Sequence, residues 1–312
     1  MLRGFVHICC LLIFPAITSL SFAQHYSPVT TTEFNLYGPV KFLNKTSWEV
    51  NRKDTSGISK GYKYQGIHDR DDYSIHFDEK GREIQFYLMD SEKTKVVHSR
   101  TFIYDSLGRI KEEWTGGLDP LKVYTYDSLS RLIKIFWPEP RNRPKEHDRI
   151  DSFIYNDKNL LVEKIILEDR SGSLYKQSVK YKYDAEGRCI KEEYYAEERE
   201  HSATTYKYEE LNGGMKISEI HLGMSISSGF YYEIIDSLGN RTEEYDKSEK
   251  RKTFYQYDSR NNLMEEKLVI DGKVIRVMTI KYDFDNYGNW TRKVIYEDGI
   301  PHCIHERNII YY

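Results

Sequence analysis

The chain has almost no long apolar sequence, few cysteines and no excess of either charge. Its one long apolar run is at the start, from Phe5 to Leu20. Only four of the 312 residues are cysteine, and Cys9 and Cys10 fall inside that run. Cys189 and Cys303, the other two, are too few for a disulfide scaffold. One bridge between them and two isolated buried thiols are both open readings. With 46 basic and 49 acidic side chains, for a formal net charge of −3, no basic block is present. That argues against nucleic acid or an anionic membrane as the main partner. Phosphate-loop and zinc-protease helix patterns are missing. Hydrophobic residues make up a low 39% and charged residues a high 30%, while tyrosine reaches 27. This composition suits an extended sheet with much wetted surface better than a compact α/β enzyme.

The opening run reads as an export leader. Arg3 supplies a positive n-region, and Ser21-Phe22-Ala23 has the small-x-small form that signal peptidase cuts. Residues 1–23 are therefore expected to be a signal peptide, 24–34 a linker and 35–312 a single domain without a membrane span. A retained anchor is disfavoured by the short run and by Pro15. A lipoprotein is disfavoured because no small-residue box precedes Cys9-Cys10. The expected location is the periplasm or the cell surface.

What the chain has in quantity is a repeat. An aromatic and an Asp are followed by two variable residues, Gly, and Arg or Asn. The phrase reads Phe77-Asp78-Glu79-Lys80-Gly81-Arg82 and Tyr104-Asp105-Ser106-Leu107-Gly108-Arg109, then Tyr126-Asp127-Ser128-Leu129-Ser130-Arg131. It returns at Tyr155-Asn156, at Tyr183-Asp184 with Gly187, and in degenerate form at Tyr208-Glu209. Later copies are Ile235-Asp236 with Gly239, Tyr257-Asp258, and Phe284-Asp285 with Gly288. Asp or Asn accepts a backbone N–H two residues on, and Gly or Asn takes the left-handed conformation of a short hairpin loop. Upstream, Phe102 and Tyr104, Tyr124 and Tyr126, or Tyr181 and Tyr183 alternate with wetter residues, as in a half-buried strand. Two strands per copy give roughly eighteen to twenty strands, stable only as an array.

These phrases resemble the YD repeats of the RHS/YD family over about Phe77 to Trp290. Leu36-Tyr37-Gly38-Pro39-Val40-Lys41 and Gly288-Asn289-Trp290-Thr291-Arg292-Lys293 resemble the first and last units of short exported bacterial YD-repeat proteins. The resemblance implies an all-β fold: tandem hairpins in a curled antiparallel strip or open spiral sheet. Large members form a shell around a toxic cargo. This chain has too few copies for that, and it carries no toxin segment or Asp-Pro-x-Gly-Leu motif.

Sites are hard to find. The repeat Asp residues are explained by turn chemistry, which leaves no catalytic dyad to propose. His302 and His305 of His302-Cys303-x-His305 fall on opposite faces of a strand, poor geometry for one metal. Asp69-Arg70-Asp71-Asp72 has oxygen ligands for Ca²⁺, but lacks the Gly and distant Glu of a binding loop. No catalytic, cofactor or metal residue is assigned. Most aromatics are expected in the core; Trp114, Trp137, Trp290 and Phe230-Tyr231-Tyr232 are the candidates for ligand contact. The Asp-Ser-Leu turns at 105–107, 127–129 and 236–238 resemble an acceptor for periplasmic O-glycosylation. The expected function is a non-enzymatic binding or scaffold protein of the cell envelope, with a glycan, an envelope polymer or another protein as partner. The alternatives are an accessory or antagonist of a secreted toxin system, and an envelope hydrolase, which two close carboxyls with a shifted pKa would support.

Overall fold

The structure, a computed structural model, describes residues 30–34, 36–51, 58–63, 72–89, 96–117, 119–138, 148–170, 173–223 and 229–312. The expected leader lies outside them. So do residues 69–71 of the acidic segment and most of the loop that follows Trp137.

Local turn chemistry is where the fold starts. The Asp105 carbonyl accepts the Gly108 N–H at 2.9 Å, and the Arg109 carbonyl accepts the Asp105 N–H at 2.9 Å. Gly108 sits at φ +80°, while Ser130, Asn159 and Asn261 take the same position at about +61° to +62°. This is the hairpin loop in which a left-handed residue makes a bulge. Asp105 Oδ1 accepts the N–H groups of Leu107 and Arg109. Asp78, Asp127, Asp184, Asp236, Asp258 and Asp285 hold the same place. The degenerate copy differs. Its chain runs through Glu209 and Glu210 as strand, and the turn moves to Asn212-Gly213.

The hairpins build 21 strands. The first are β1 (Val40–Val50), β2 (Lys60–Lys63), β3 (Tyr73–Phe77), β4 (Glu83–Met89) and β5 (Val96–Tyr104). Then come β6 (Ile110–Trp114), β7 (Lys122–Tyr126), β8 (Leu132–Trp137), β9 (Arg149–Tyr155) and β10 (Leu161–Arg170). β11 (Ser173–Tyr183), β12 (Cys189–Ala196), β13 (Arg199–Leu211), β14 (Gly214–Gly223) and β15 (Phe230–Asp236) follow. The last are β16 (Arg241–Asp246), β17 (Arg251–Tyr257), β18 (Leu263–Ile270), β19 (Lys273–Phe284), β20 (Trp290–Glu297) and β21 (Ile300–Tyr311). From β3 to β21 each strand pairs antiparallel with the next in sequence.

The expected open strip is wrong in one respect: it closes. β1 pairs with β3 on one side and with β21 on the other, from Val40 against Tyr311 to Glu49 against Cys303. Twenty strands form the ring, and β2 adds to the far end of β1 through Trp48 and Val50. Closure leaves no free sheet edge around the ring, which removes the liability an open strip would carry. At the end of the stretch expected as a linker, Thr31–Phe34 makes one 3-10 turn. Phe34 packs there against Phe77 and Tyr73.

All the Tyr-Asp turns lie at one end of the barrel. The bulge at each turn stops the ladder between neighbouring copies early, as at Lys134 against Ser152. The Tyr side chain takes the carbonyl left free: Tyr155 Oη donates to Leu132 O at 2.8 Å. Tyr126 donates likewise to Ile110 O, Tyr208 to Cys189 O and Tyr282 to Leu263 O, each at 2.8 Å. The turn Arg completes the link between copies. Arg109 Nε donates to Asp105 Oδ2 at 2.7 Å, and its guanidinium lies 4.5 Å from the ring centre of Tyr126 in the next copy. Arg82 over Tyr104, Arg131 over Tyr155 and Arg188 over Tyr208 repeat this at 4.3 to 4.9 Å. Each Arg therefore closes its own turn and stacks on its neighbour's ring, a cation–π contact of about 0.5–1 kcal/mol.

The aromatic face is the more buried one and so the inner face of the ring. It carries Leu43, Ile75, Phe77, Ile135 and Leu161, all at 0–1% exposure. Phe102, Ile110, Tyr124, Leu132 and Phe153 form a continuous core along β5–β10 with Ile135 and Leu161.

Candidate functional site

The bulges decide which charged residues point inward. On each return strand after a bulged turn, the first and fourth residues share the inner face: Glu83 and Phe86, Ile110 and Glu113, Cys189 and Glu192, Leu263 and Glu266. The fourth position thus brings Glu113, Glu192, Glu244 and Glu266 inside the barrel, and Glu83, Asp151, Glu219 and Glu233 extend the belt from other positions of the same face. From β3 to β10 this belt is neutralised. Glu83 meets Arg100 at 2.8 Å, Glu113 meets Lys122 at 2.7 Å, and Asp151 meets Arg149 at 2.8 Å.

From β12 to β19 the belt is acidic. Glu192, Glu219, Glu233, Glu244 and Glu266 share the inner face with Arg241 and Arg276, and Arg251 lies on it opposite Asp246 at the end of β16. Arg241 binds Glu233 at 2.7 Å and Glu244 at 3.0 Å, and Arg276 binds Glu266 at 2.8 Å. Glu192 and Glu219 have no Lys or Arg at ion-pair distance among the described residues. Glu192 accepts a hydrogen bond from Tyr194 through Oε2. Its Oε1 is buried without a partner, and the residue is 4% exposed. Glu219 approaches His221 Nε2 at 3.4 Å, and His221 Nδ1 pairs with Thr204 Oγ1 at 2.9 Å. Tyr206 lies opposite Glu219 on β13 and Tyr231 opposite it on β15.

Burial, then the nearby Glu233 and Glu192 carboxylates, push the Glu219 carboxyl up to about 7; Arg241 pulls the other way. The unfolded chain gives up this proton near pH 4.5, before the folded chain does. Stability must therefore fall as pH rises from about 4.5 to 7. Glu219→Gln removes the penalty and is expected to gain about 2 kcal/mol over the native chain at pH 8, and nothing at pH 4. Urea unfolding at the two pH values checks this, and an equal effect at both would refute it.

The candidate aromatics divide between the faces. Trp290 is buried on the inner wall, with the Arg307 guanidinium 3.7 Å from its ring centre, so it offers no exposed surface. Trp137 is also on the inner wall, half-buried between Lys122 and Arg149 at 4.5 and 5.1 Å. Trp114 is on the outer face and donates Nε1–H to Glu112 at 3.0 Å. Tyr231 faces in, while Phe230 and Tyr232 face out beside Tyr245 of β16. Phe230 and Tyr232 are 6.2 Å apart, and Tyr232 and Tyr245 5.3 Å, between ring centres. Lys216 lies 4.6 Å from the Tyr232 ring, and Lys252 reaches Tyr232, Tyr245 and Phe254 at 5.5–5.9 Å. Tyr232 Oη donates to Glu243 at 2.7 Å.

Cys189 on β12 and Cys303 on β21 are both buried and do not form a disulfide with each other. Burial first, then Glu192, push the Cys189 thiol up to about 12, which keeps it protonated and inert. Cys303 and His305 face inward, with Sγ and Nε2 at 3.3 Å, while His305 Nδ1 meets Ser47 Oγ at 2.8 Å. His302 points the other way, toward Glu297 at 3.7 Å. Asp72 is buried and accepts the Ser47 N–H at 2.7 Å. Among the described residues no three His, Cys, Asp or Glu side chains are placed to hold a metal ion. Ser106, Ser128 and Ser237 stand exposed at the turn tips.

No family model and no curated relative matches the chain. Solved structures do. The Photorhabdus luminescens Tc holotoxin pore with a TccC3 mutation is similar over 72% of this chain, at 10% identity and a TM-score of 0.30. A TcdB2-TccC3 structure is similar over 74%, at 11% identity and a TM-score of 0.29. The chain spans only 14% and 15% of those two chains. A porin-like protein from Bacteroides uniformis is similar over 88% of this chain and 98% of its own, at 11% identity and a TM-score of 0.35.

Proposed function

We propose that the protein is an exported, non-catalytic β-barrel of YD-repeat type that binds a glycan or envelope polymer on its outer wall. The platform of Phe230, Tyr232 and Tyr245, flanked by Lys216, Lys252 and Glu243, carries this reading. Flat rings offer faces for the apolar side of a sugar, and the charged side chains beside them can hydrogen-bond its hydroxyls. The outer wall carries exposed charge among apolar side chains such as Ile103, Ile154 and Ile220. Lys134, Lys182, Lys207, Glu209 and Lys281 are exposed on it, where a lipid-facing barrel needs an apolar band. No helix among the described residues is long and apolar enough to cross a membrane. Export rests on the leader sequence, and membership of the YD-repeat type on the recurring Asp–Arg–Tyr link between copies.

The test is a glycan and cell-wall polymer array probed with the mature protein and with the double variant Phe230→Ala and Tyr232→Ala. Binding should weaken at least about tenfold in the variant, with an unchanged circular dichroism spectrum. Absence of binding by the native protein, or equal binding by the variant, would remove the reading. One feature favours a hydrolase instead: burial and the neighbouring Glu233 and Glu192 side chains push the Glu219 carboxyl up to about 7, into the range of a general acid. Release of reducing ends from envelope glycan, abolished by Glu219→Gln, would establish that alternative.

A further inference from the structure

The inner wall between β12 and β15 has an unmet need for positive charge. Three of the five carboxylates in the acidic belt are paired with arginine; Glu192 and Glu219 are not. Glu192 Oε1 is the decisive atom. It is a carboxylate oxygen removed from water with no donor, and leaving such a group unsatisfied costs about 1–3 kcal/mol or more. The rings of Tyr194 and Tyr206 lie beside it, close enough that Glu192 and Glu219 both act on the Tyr206 hydroxyl. Solvent nevertheless reaches this wall, since the side chains of His221 and Glu219 are 44% and 25% exposed.

A buried oxygen without a donor, surplus negative charge and aromatic faces together define a ligand that brings N–H donors on a cation. A metal ion is a poor match, because among the described residues no three ligating side chains converge. We propose that this wall binds an organic diammonium ion, one ammonium taken by Glu192 Oε1 and the other by Glu219, with Tyr206 of β13 between them. Carboxylates on β12 and β14 stand two strands apart, about 10 Å between backbones, which suits a short linear diamine better than a single amine. The site is on the opposite face from the aromatic platform and does not depend on the glycan reading.

Calorimetric titration of putrescine into the full mature chain tests the proposal. One binding event is expected, weakened about tenfold or more in both Glu192→Gln and Glu219→Gln, since each removes one charge-assisted hydrogen bond. Both substitutions remove a buried charge without a cation partner, so neither endangers the fold. Tyr232→Ala should bind putrescine like the native chain, which separates this site from the outer platform. No binding of putrescine, the same response to magnesium chloride at equal ionic strength, or undiminished affinity in the two Gln variants would overturn it.

Discussion

Asn289→Ala is expected to unzip the barrel at its seam. Asn289 is fully buried, and its side-chain amide grips the backbone of the N-terminal flank as a strand neighbour would. Oδ1 accepts the Tyr37 N–H at 2.6 Å, and Nδ2 is 2.8 Å from Tyr37 O and 2.6 Å from Tyr311 Oη. Alanine leaves both backbone groups of Tyr37 without these partners at a part-buried site and empties a buried one at Asn289 itself, a loss of about 2 kcal/mol. Gly38 reinforces the seam. It sits at φ +82°, and a Cβ there would come within 2.7 Å of Tyr287 Cδ1. Tyr287 cannot retreat without losing its 4.3 Å stack on Tyr311. Gly38→Val should therefore produce the same opening by a different route. In both variants hydrogen exchange should accelerate first in β1 and β21, while the amides of β7 to β10 stay protected. Uniform acceleration around the ring would show that the seam is not a separate unit.

That seam was also the feature least legible in the sequence. The Asp and Gly of each turn declare themselves because their chemistry is local: a side-chain acceptor two residues from its donor, and a left-handed φ. Closure depends on Val40 meeting Tyr311 across almost the whole chain, and no local pattern encodes such a meeting. The flanks Tyr37-Gly38 and Gly288-Asn289 stood out as end units, but that they join each other could not be read from either. The acidic inner belt was hidden for a different reason. Strict alternation from Tyr104 puts Glu112 inside, whereas the bulge after Gly108 slips the register by one residue and puts Glu113 there. The same slip chooses Glu192 over Glu193 and Glu266 over Glu265. Pairs of adjacent glutamates read as ordinary wetted strand until the bulge assigns one of each to the interior. The turn Arg is visible in four of the phrases, but its ring partner lies one copy further on, at a spacing that varies with the intervening loop.

Arg100→Ala is the strongest test of how the neutral half of the belt is held. Glu83 has no exposed surface, and Arg100 meets it with Nη2 at 2.8 Å from Oε1 and 3.1 Å from Oε2, while Nε adds a contact at 3.1 Å. Removing the cation strands a carboxylate in the wall, a loss of about 3 kcal/mol at pH 8, at the lower end for buried pairs because Arg100 itself is 30% exposed. Desolvation already raises the Glu83 carboxyl above its ordinary value, and Arg100 is the main influence pulling it back. Without Arg100 it must rise further, so the folded variant holds a proton that the unfolded chain releases. Its deficit should then grow as pH rises and shrink to about 1 kcal/mol at pH 4, where both states are protonated. Adding Glu83→Gln to Arg100→Ala should recover most of the loss at pH 8, because a neutral amide needs no counter-charge. Arg100 also packs over Phe86 and Phe102, at 5.3 and 4.9 Å from the ring centres. If urea unfolding shows the same deficit at both pH values, and no recovery in the double variant, that packing rather than the ion pair is what Arg100 supplies.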